Sequence, residues 1–305
     1  KTANMSVESA GEVLRAHEGV KVIMPVHFGG QPFDLEKFSA LADCYGASIV
    51  EDACHALGAE YRDQMGIWHK VGNCAFSKLT AFSFHPIKSI TTGEGGCVTT
   101  NDAELYRRLK QLRSHGTTRD PNLIVNEDQA YTYVDGMKVK NPWYYEMQML
   151  GYNYRITDFQ CALGRSQLSR LPTFLELRLR LMGAYRELLT NAGLLEIIKP
   201  LDRTSNTRHS GHLFVVRSPF HRYKGGRANF MNFLKDRGIS SQVHYMPLYR
   251  HPYYKEFENL QNKLLGAERY YGECLSLPLF PDMDLKDVQR VVSTLREGID
   301  LFFDA

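Results

Sequence analysis

In the first third of this chain, short β-rich runs alternate with amphipathic segments of about a dozen residues. KVIMPVH reads as a strand, GGQP breaks the chain, and DLEKFSALADCYG has helical apolar spacing with Asp34 placed as its N-cap. ASIVEDAC follows as a buried strand, then the aromatic run NCAFSKLTAFSFH and the strand GGCVTTN. SVESAGEVLRAH and DAELYRRLKQLRSHG read as helices, the second capped by Asp102. A strand that re-enters its sheet through a helix pairs in parallel, and the helix packs on the sheet. The expectation is an α/β fold with a mostly parallel central sheet and helices on both faces.

After Gly116 the alternation stops. IVNEDQAYTYVDGMKVKNPWYY reads as a long, tyrosine-rich loop or hairpin, and loops of that length are usually functional. TDFQCALGRSQLSRL is helical, and Pro172 is expected to open a second helix. HLFVVRS, SSQVHYMP and the closing LKDVQRVVSTLREGIDLFF imply a smaller α+β unit. Two domains are therefore expected, 1–172 and 173–305.

Composition narrows the function classes. The net charge of +3 over 305 residues gives no footprint for nucleic acid or an anionic membrane surface. No apolar run approaches the roughly 20 residues of a membrane helix, and KTANMSVESAGEVLR lacks the layout of a secretory signal. Six scattered cysteines with no CxxC pair favour reduced thiols over a disulfide framework or a zinc site, which points to a cytoplasmic location and no metal.

The chemistry is expected where strands end, because ligands of parallel sheets bind outside the carboxyl ends of the strands. ASIVED ends in Glu51 and Asp52, and AFSFHPIK delivers Lys88 just before the turn SITTGEGG. A salt bridge, or two solvated side chains, is one reading of a carboxylate and an amine so placed. Pyridoxal phosphate is the other: it takes a lysine amine for a Schiff base, an acid beside its pyridine nitrogen, and hydroxyls and backbone N–H groups around its phosphate. Spacing alone leaves both open, since TTGEGG is neither a P-loop nor a dinucleotide fingerprint.

Four ordered motifs carry a resemblance that runs over nearly the whole chain. VIMPVHFGGQPFDLEKFSALADCYGASIVEDACHALGA, FSFHPIKSITTGEGG, GYNYRITDFQCALGRSQL and SLPLFPDM resemble the DegT/DnrJ/EryC1/StrS sugar-nucleotide aminotransferases, which have the aspartate-aminotransferase fold. WYYEMQMLGYNYR is similar to the branch that makes pseudaminic acid precursors from a UDP-linked 4-keto-6-deoxy-N-acetylhexosamine. The resemblance implies that Lys88 bonds pyridoxal phosphate, Asp52 holds its pyridine nitrogen protonated and Ser83 binds its phosphate. His55 stands where many relatives carry glutamine near the cofactor's phenolic oxygen; a packed core histidine is the other account of it. Asn153 and Arg155 are implied to reach a phosphate in a neighbouring subunit, so that a homodimer shares its active sites.

The same resemblance implies glutamate as amino donor and a UDP-sugar as acceptor. His244 and Tyr245 lie where relatives bring small-domain residues over the substrate, although packing at the domain junction explains them equally well. Glu94 orients the turn or meets substrate. The basic stretch HRYKGGR reads as a solvated loop, with a diphosphate contact as the weaker alternative. Relatives begin well upstream, with a segment resembling GTSAL that this sequence does not contain, so an N-terminally truncated chain with an exposed sheet edge is expected. A sugar dehydratase of the same fold would carry histidine in place of Lys88. A non-catalytic binding module is the reading from a different class.

Overall fold

The computed structural model describes residues 1–254 and 264–304. Its central sheet has four strands in the order Val22–Ile23, Ser48–Asp52, Leu79–Ser83 and Gly96–Thr99. The first three run parallel, with Val22 opposite Ser48 and Asp52 opposite Ala81, whereas Gly96–Thr99 closes antiparallel on Leu79–Ser83. The mostly parallel sheet expected from the alternation is present.

Two helices cover this region, Val7–Ala16 and Leu35–Cys44. Ser6 caps the first by accepting from the Ser9 amide, and Asp34 caps the second by accepting from the Lys37 amide. Their apolar faces meet the sheet in one cluster that includes Leu14, Leu35, Phe38, Ile49 and Phe82. Phe38 is wholly buried there, which stabilises the fold by about 2–3 kcal/mol relative to an exposed side chain. The expected Asp102 cap also forms, accepting from the amides of Glu104 and Leu105.

The tyrosine-rich stretch contains a hairpin, Tyr131–Val134 paired with Met137–Lys140. Asp135 and Gly136 form its two-residue turn with φ of 50° and 75°, the backbone that matches the twist of the flanking strands.

One expectation is corrected. The chain does not break at Pro172: a single helix runs from Asp158 to Asn191. Proline forfeits one hydrogen bond inside a helix, but both Pro172 and Leu168, whose carbonyl loses its partner, are exposed, so water can take the place of the missing donor. The helix changes surroundings along its length. Nothing before Leu171 is buried, whereas Arg178, Leu181, Met182, Tyr185 and Leu189 form a buried stripe. Its apolar residues pack in a second cluster with Phe214, Phe230, Leu275 and Leu295, built from the antiparallel sheet Lys199–Pro200, Phe214–Arg217 and Cys274–Leu277 and the helices Gly226–Asp236 and Leu285–Phe302. SSQVHYMP is not a strand; it meets this sheet through one bridge, Gln242 to Ser276.

Candidate active site

Asp52 is the last residue of Ser48–Asp52. The chain from Val22–Ile23 continues beside it: the Asp52 amide donates to the Pro25 carbonyl at 3.0 Å and the His27 amide to the Asp52 carbonyl at 3.0 Å. Beyond Asp52 the chain turns tightly through Ala53, Ala56 and Ala59, all with no exposed surface. Side chains no larger than a methyl let this turn sit against the sheet, and His55 is carried on it. The Asp52 carboxylate accepts from the Cys54 amide at 3.0 Å, which fixes its direction.

Lys88 arrives on the loop after Leu79–Ser83. The Lys88 amide donates to the His85 carbonyl at 2.9 Å, and the Phe84 amide to the Gly95 carbonyl at 2.8 Å, so the loop is closed at its neck. Asp52, Cys54, His55 and Lys88 line one cavity of about 490 Å³ together with Val26, Phe28 and Tyr245. That lies within the usual range for small-molecule sites. Among the described residues no ion pair joins Lys88 to Asp52; amine and carboxylate face a shared space without closing on each other.

The electrostatics follow from burial. Desolvation lowers the Lys88 amine below its ordinary value, against the smaller opposing pull of the Asp52 carboxylate. The Cys54 thiol is pushed up to about 12, first by burial and then by Asp52, so it stays protonated. Burial pushes His55 down to about 4, with Lys88 adding to the effect. Its Nδ1 accepts from the Gly29 amide at 3.3 Å, which places the proton of the neutral ring on Nε2. Nε2 then donates to the Tyr245 hydroxyl at 3.3 Å. His212, buried, packs against His55 with ring centroids 4.4 Å apart and the ring planes tilted by 33°.

Other expected residues lie elsewhere. Ser83 is half-buried at its strand end, and its hydroxyl accepts from the His85 amide at 3.3 Å; it is not part of the cavity wall. Asn153 and Arg155 are exposed on the segment leading into the long helix, with Asn153 bridged to Ser114. His244 turns to Ser276, with Nδ1 2.7 Å from its hydroxyl. Glu94 is exposed, its carboxylate 3.8 Å from His85 Nε2. The basic stretch uses Arg227 on the carbonyls of Tyr271 and Cys274 and Arg222 on the Asp304 carbonyl, away from the cavity wall.

Sequence reasoning overlooked Phe28, Cys54 and His212. Cys54 lies between Asp52 and His55, and the Ala-Cys-His-Ala run was the available signal; Phe28 and His212 are brought in only by the fold.

Among known proteins, the DegT/DnrJ/EryC1/StrS aminotransferase family matches residues 1–296. The chain is 34% identical over 276 residues to the UDP-4-amino-4,6-dideoxy-N-acetyl-beta-L-altrosamine transaminase of Campylobacter jejuni, covering 90% of this chain and 65% of that protein. It is 34% identical over 298 residues to an uncharacterized protein of Methanocaldococcus jannaschii, covering 97% of this chain and 71% of that one. Helicobacter pylori PseC, an aminotransferase involved in the biosynthesis of pseudoaminic acid, superimposes with a TM-score of 0.82 at 29% identity, over 98% of this chain and 71% of PseC. The chain thus spans about two thirds of the length of these relatives, and by sequence and fold together it belongs to the DegT/DnrJ/EryC1/StrS aminotransferase family.

Proposed function

We propose that this chain carries the pyridoxal phosphate centre of a sugar-nucleotide aminotransferase. It moves an amino group from glutamate to C4 of a UDP-linked 4-keto-6-deoxy-N-acetylhexosamine, as in pseudaminic acid formation. The observation that carries the reading is Asp52, at a strand end, and Lys88, on the loop after the neighbouring strand, facing one cavity of about 490 Å³ unpaired with each other. Its substrate class rests on the similarity to the Campylobacter jejuni transaminase and to PseC.

Pyridoxal phosphate, when bound, supplies an electron sink for the carbanion formed next to the transferred nitrogen. Lys88 would hold the cofactor, and its amine would be the base and acid that carries a proton at the reacting carbon. Its lowered basicity suits that task, because an amine with a depressed pKa spends more time unprotonated near neutral pH. Asp52, oriented by the Cys54 amide, is the carboxylate that keeps the pyridine nitrogen protonated. The Nε2–H of His55 is a donor on the cavity wall, suited to a phenolic oxygen. Ser83 is assigned to the phosphate, and His244, Tyr245 and Glu94 to the substrate side.

Asn153 and Arg155, exposed near Tyr152, Tyr154, Phe159 and Leu163, are assigned to the active site of a second copy in a homodimer. Residues 1–172 form the cofactor unit and 173–305 the smaller unit. Free cysteines, six in all, accord with a reducing, cytoplasmic setting.

Adding pyridoxal phosphate to the purified protein should produce a visible absorbance band, and glutamate should then discharge it. A protein without the band refutes the assignment; a band indifferent to glutamate leaves a binding module. A panel of keto-sugar nucleotides then identifies the acceptor by the aminated product.

A further inference from the structure

The loop that carries Lys88 leaves the sheet at Phe84 and returns at Gly95. Its returning limb is built around two carbonyls. The Phe84 carbonyl accepts from the Thr92 amide at 3.0 Å and from the Thr91 hydroxyl at 3.1 Å. The Glu94 carbonyl accepts from the Thr92 hydroxyl at 2.8 Å. A second donor reaches the Glu94 carbonyl from far along the chain, Gln160 Nε2, also at 2.8 Å.

Gln160 is the third residue of the long helix and half of its capping box. Its Oε1 accepts from the amide and the hydroxyl of Thr157, each at 3.0 Å, while the Gln160 amide donates to the Thr157 hydroxyl at 3.3 Å. One carboxamide therefore starts the helix with its oxygen and holds the lysine loop with its nitrogen. Packing follows the same line. Gln160 and Gly164, spaced by four in the helix, share a face, and Ile156 lies just ahead of the Thr157 cap. A Cβ on Gly164 would stand 2.9 Å from Thr92 Cγ2, and one on Gly95 would stand 3.2 Å from Ile156 Cδ1. Thr92, in between, is buried.

We propose that Gln160 is a positioning residue for Lys88: its amide clasps the lysine loop to the start of the long helix, so that the loop and the adjoining Asn153–Arg155 segment move as one body. The consequence for Lys88 rests on its reading as the cofactor lysine; the clasp itself does not.

The substitution Gln160→Glu separates the two halves of the carboxamide. Glutamate still accepts from Thr157, and its charge favours a helix N-terminus, but it has no N–H for the Glu94 carbonyl. In hydrogen exchange on the full chain, the Phe84 and Thr92 amides should exchange about tenfold faster, the ratio that follows from losing one net hydrogen bond. The Cys161 amide, bonded to the Thr157 carbonyl at 2.9 Å, should keep its wild-type rate. The visible band formed with added pyridoxal phosphate should appear more slowly than in the wild type.

Unchanged exchange at Phe84 and Thr92 overturns the proposal, as does equal acceleration at Cys161, which would leave Gln160 a helix cap alone. Glu94→Ala keeps the backbone carbonyl and should leave loop exchange as it is; equal loosening by that variant would assign the hold to the Glu94–His85 pair instead. If neither wild type nor variant forms a visible band, the cofactor reading fails, and the amide rates still decide the clasp.

Discussion

Glu51 and Asp52, consecutive in the chain, face opposite sides of their strand: Asp52 lines the cavity, whereas Glu51 is fully buried with His27 Nε2 2.7 Å from its carboxylate. Ser77 and Thr80 donate to the other carboxylate oxygen. Burial pushes the Glu51 carboxyl up, but the bonds from His27, Ser77 and Thr80 together hold it below its ordinary value. Removing one partner of such a group strands the rest, at about 3–5 kcal/mol. Glu51→Ala should therefore lower the free energy of unfolding by that amount, read as a drop in the urea midpoint at unchanged slope. Asp52→Asn should change cofactor affinity with a far smaller shift in midpoint. Equal destabilisation by both would contradict the division of labour.

Lys88→Arg should abolish amino transfer and the visible cofactor band together, because arginine keeps the charge but forms no Schiff base at neutral pH. Loss of the acid–base step alone would cost about 10²–10⁴-fold. A purified variant that retains both band and transfer would disprove the role assigned to Lys88.

The stability of the chain should fall as the medium is acidified from pH 6.5. His55 is held down to about 4 by burial, and His212 lower still by burial and by His55, whereas the unfolded chain takes up these protons near the ordinary histidine value of about 6.5. The unfolded state thus binds more protons in that window. Their contribution is whole above about pH 6.5 and lost as pH falls towards the folded values. Glu51, also depressed, adds a further loss below the carboxylate range. Urea midpoints measured between about pH 7.5 and 4.5 should show this slope, and His55→Gln should flatten it.

Gly30→Ala should unseat His55. Gly30 has φ of +100°, and a Cβ there would lie 2.1 Å from Ser210 Oγ and 2.9 Å from the His55 carbonyl, which itself accepts from Ser210 at 2.7 Å. The backbone conformation alone costs about 1–3 kcal/mol for a residue with a side chain. Calorimetry should register that loss, and the absorbance of the bound cofactor should shift, since the turn carrying His55 must move. A wild-type melting temperature would show that the turn yields without cost.

How much of this was legible in the chain varies with the range of the interaction. Caps at Asp34 and Asp102 and the strands ending in Asp52 and before Lys88 are local events, fixed by residues a few positions apart. Pro172 misled because a local rule was applied where solvent compensates: the helix continues through it, with both Pro172 and Leu168 at the surface.

The sequence by itself determined which reactive groups stand at strand ends, because period and punctuation set where a strand stops. Only the tertiary structure decided which of them share a cavity. Strand alternation sent Glu51 into the core and Asp52 out of it, and segments 190 residues apart brought Tyr245 to His55. No short-range pattern encodes such meetings, since they depend on how segments far apart in the chain pack against one another.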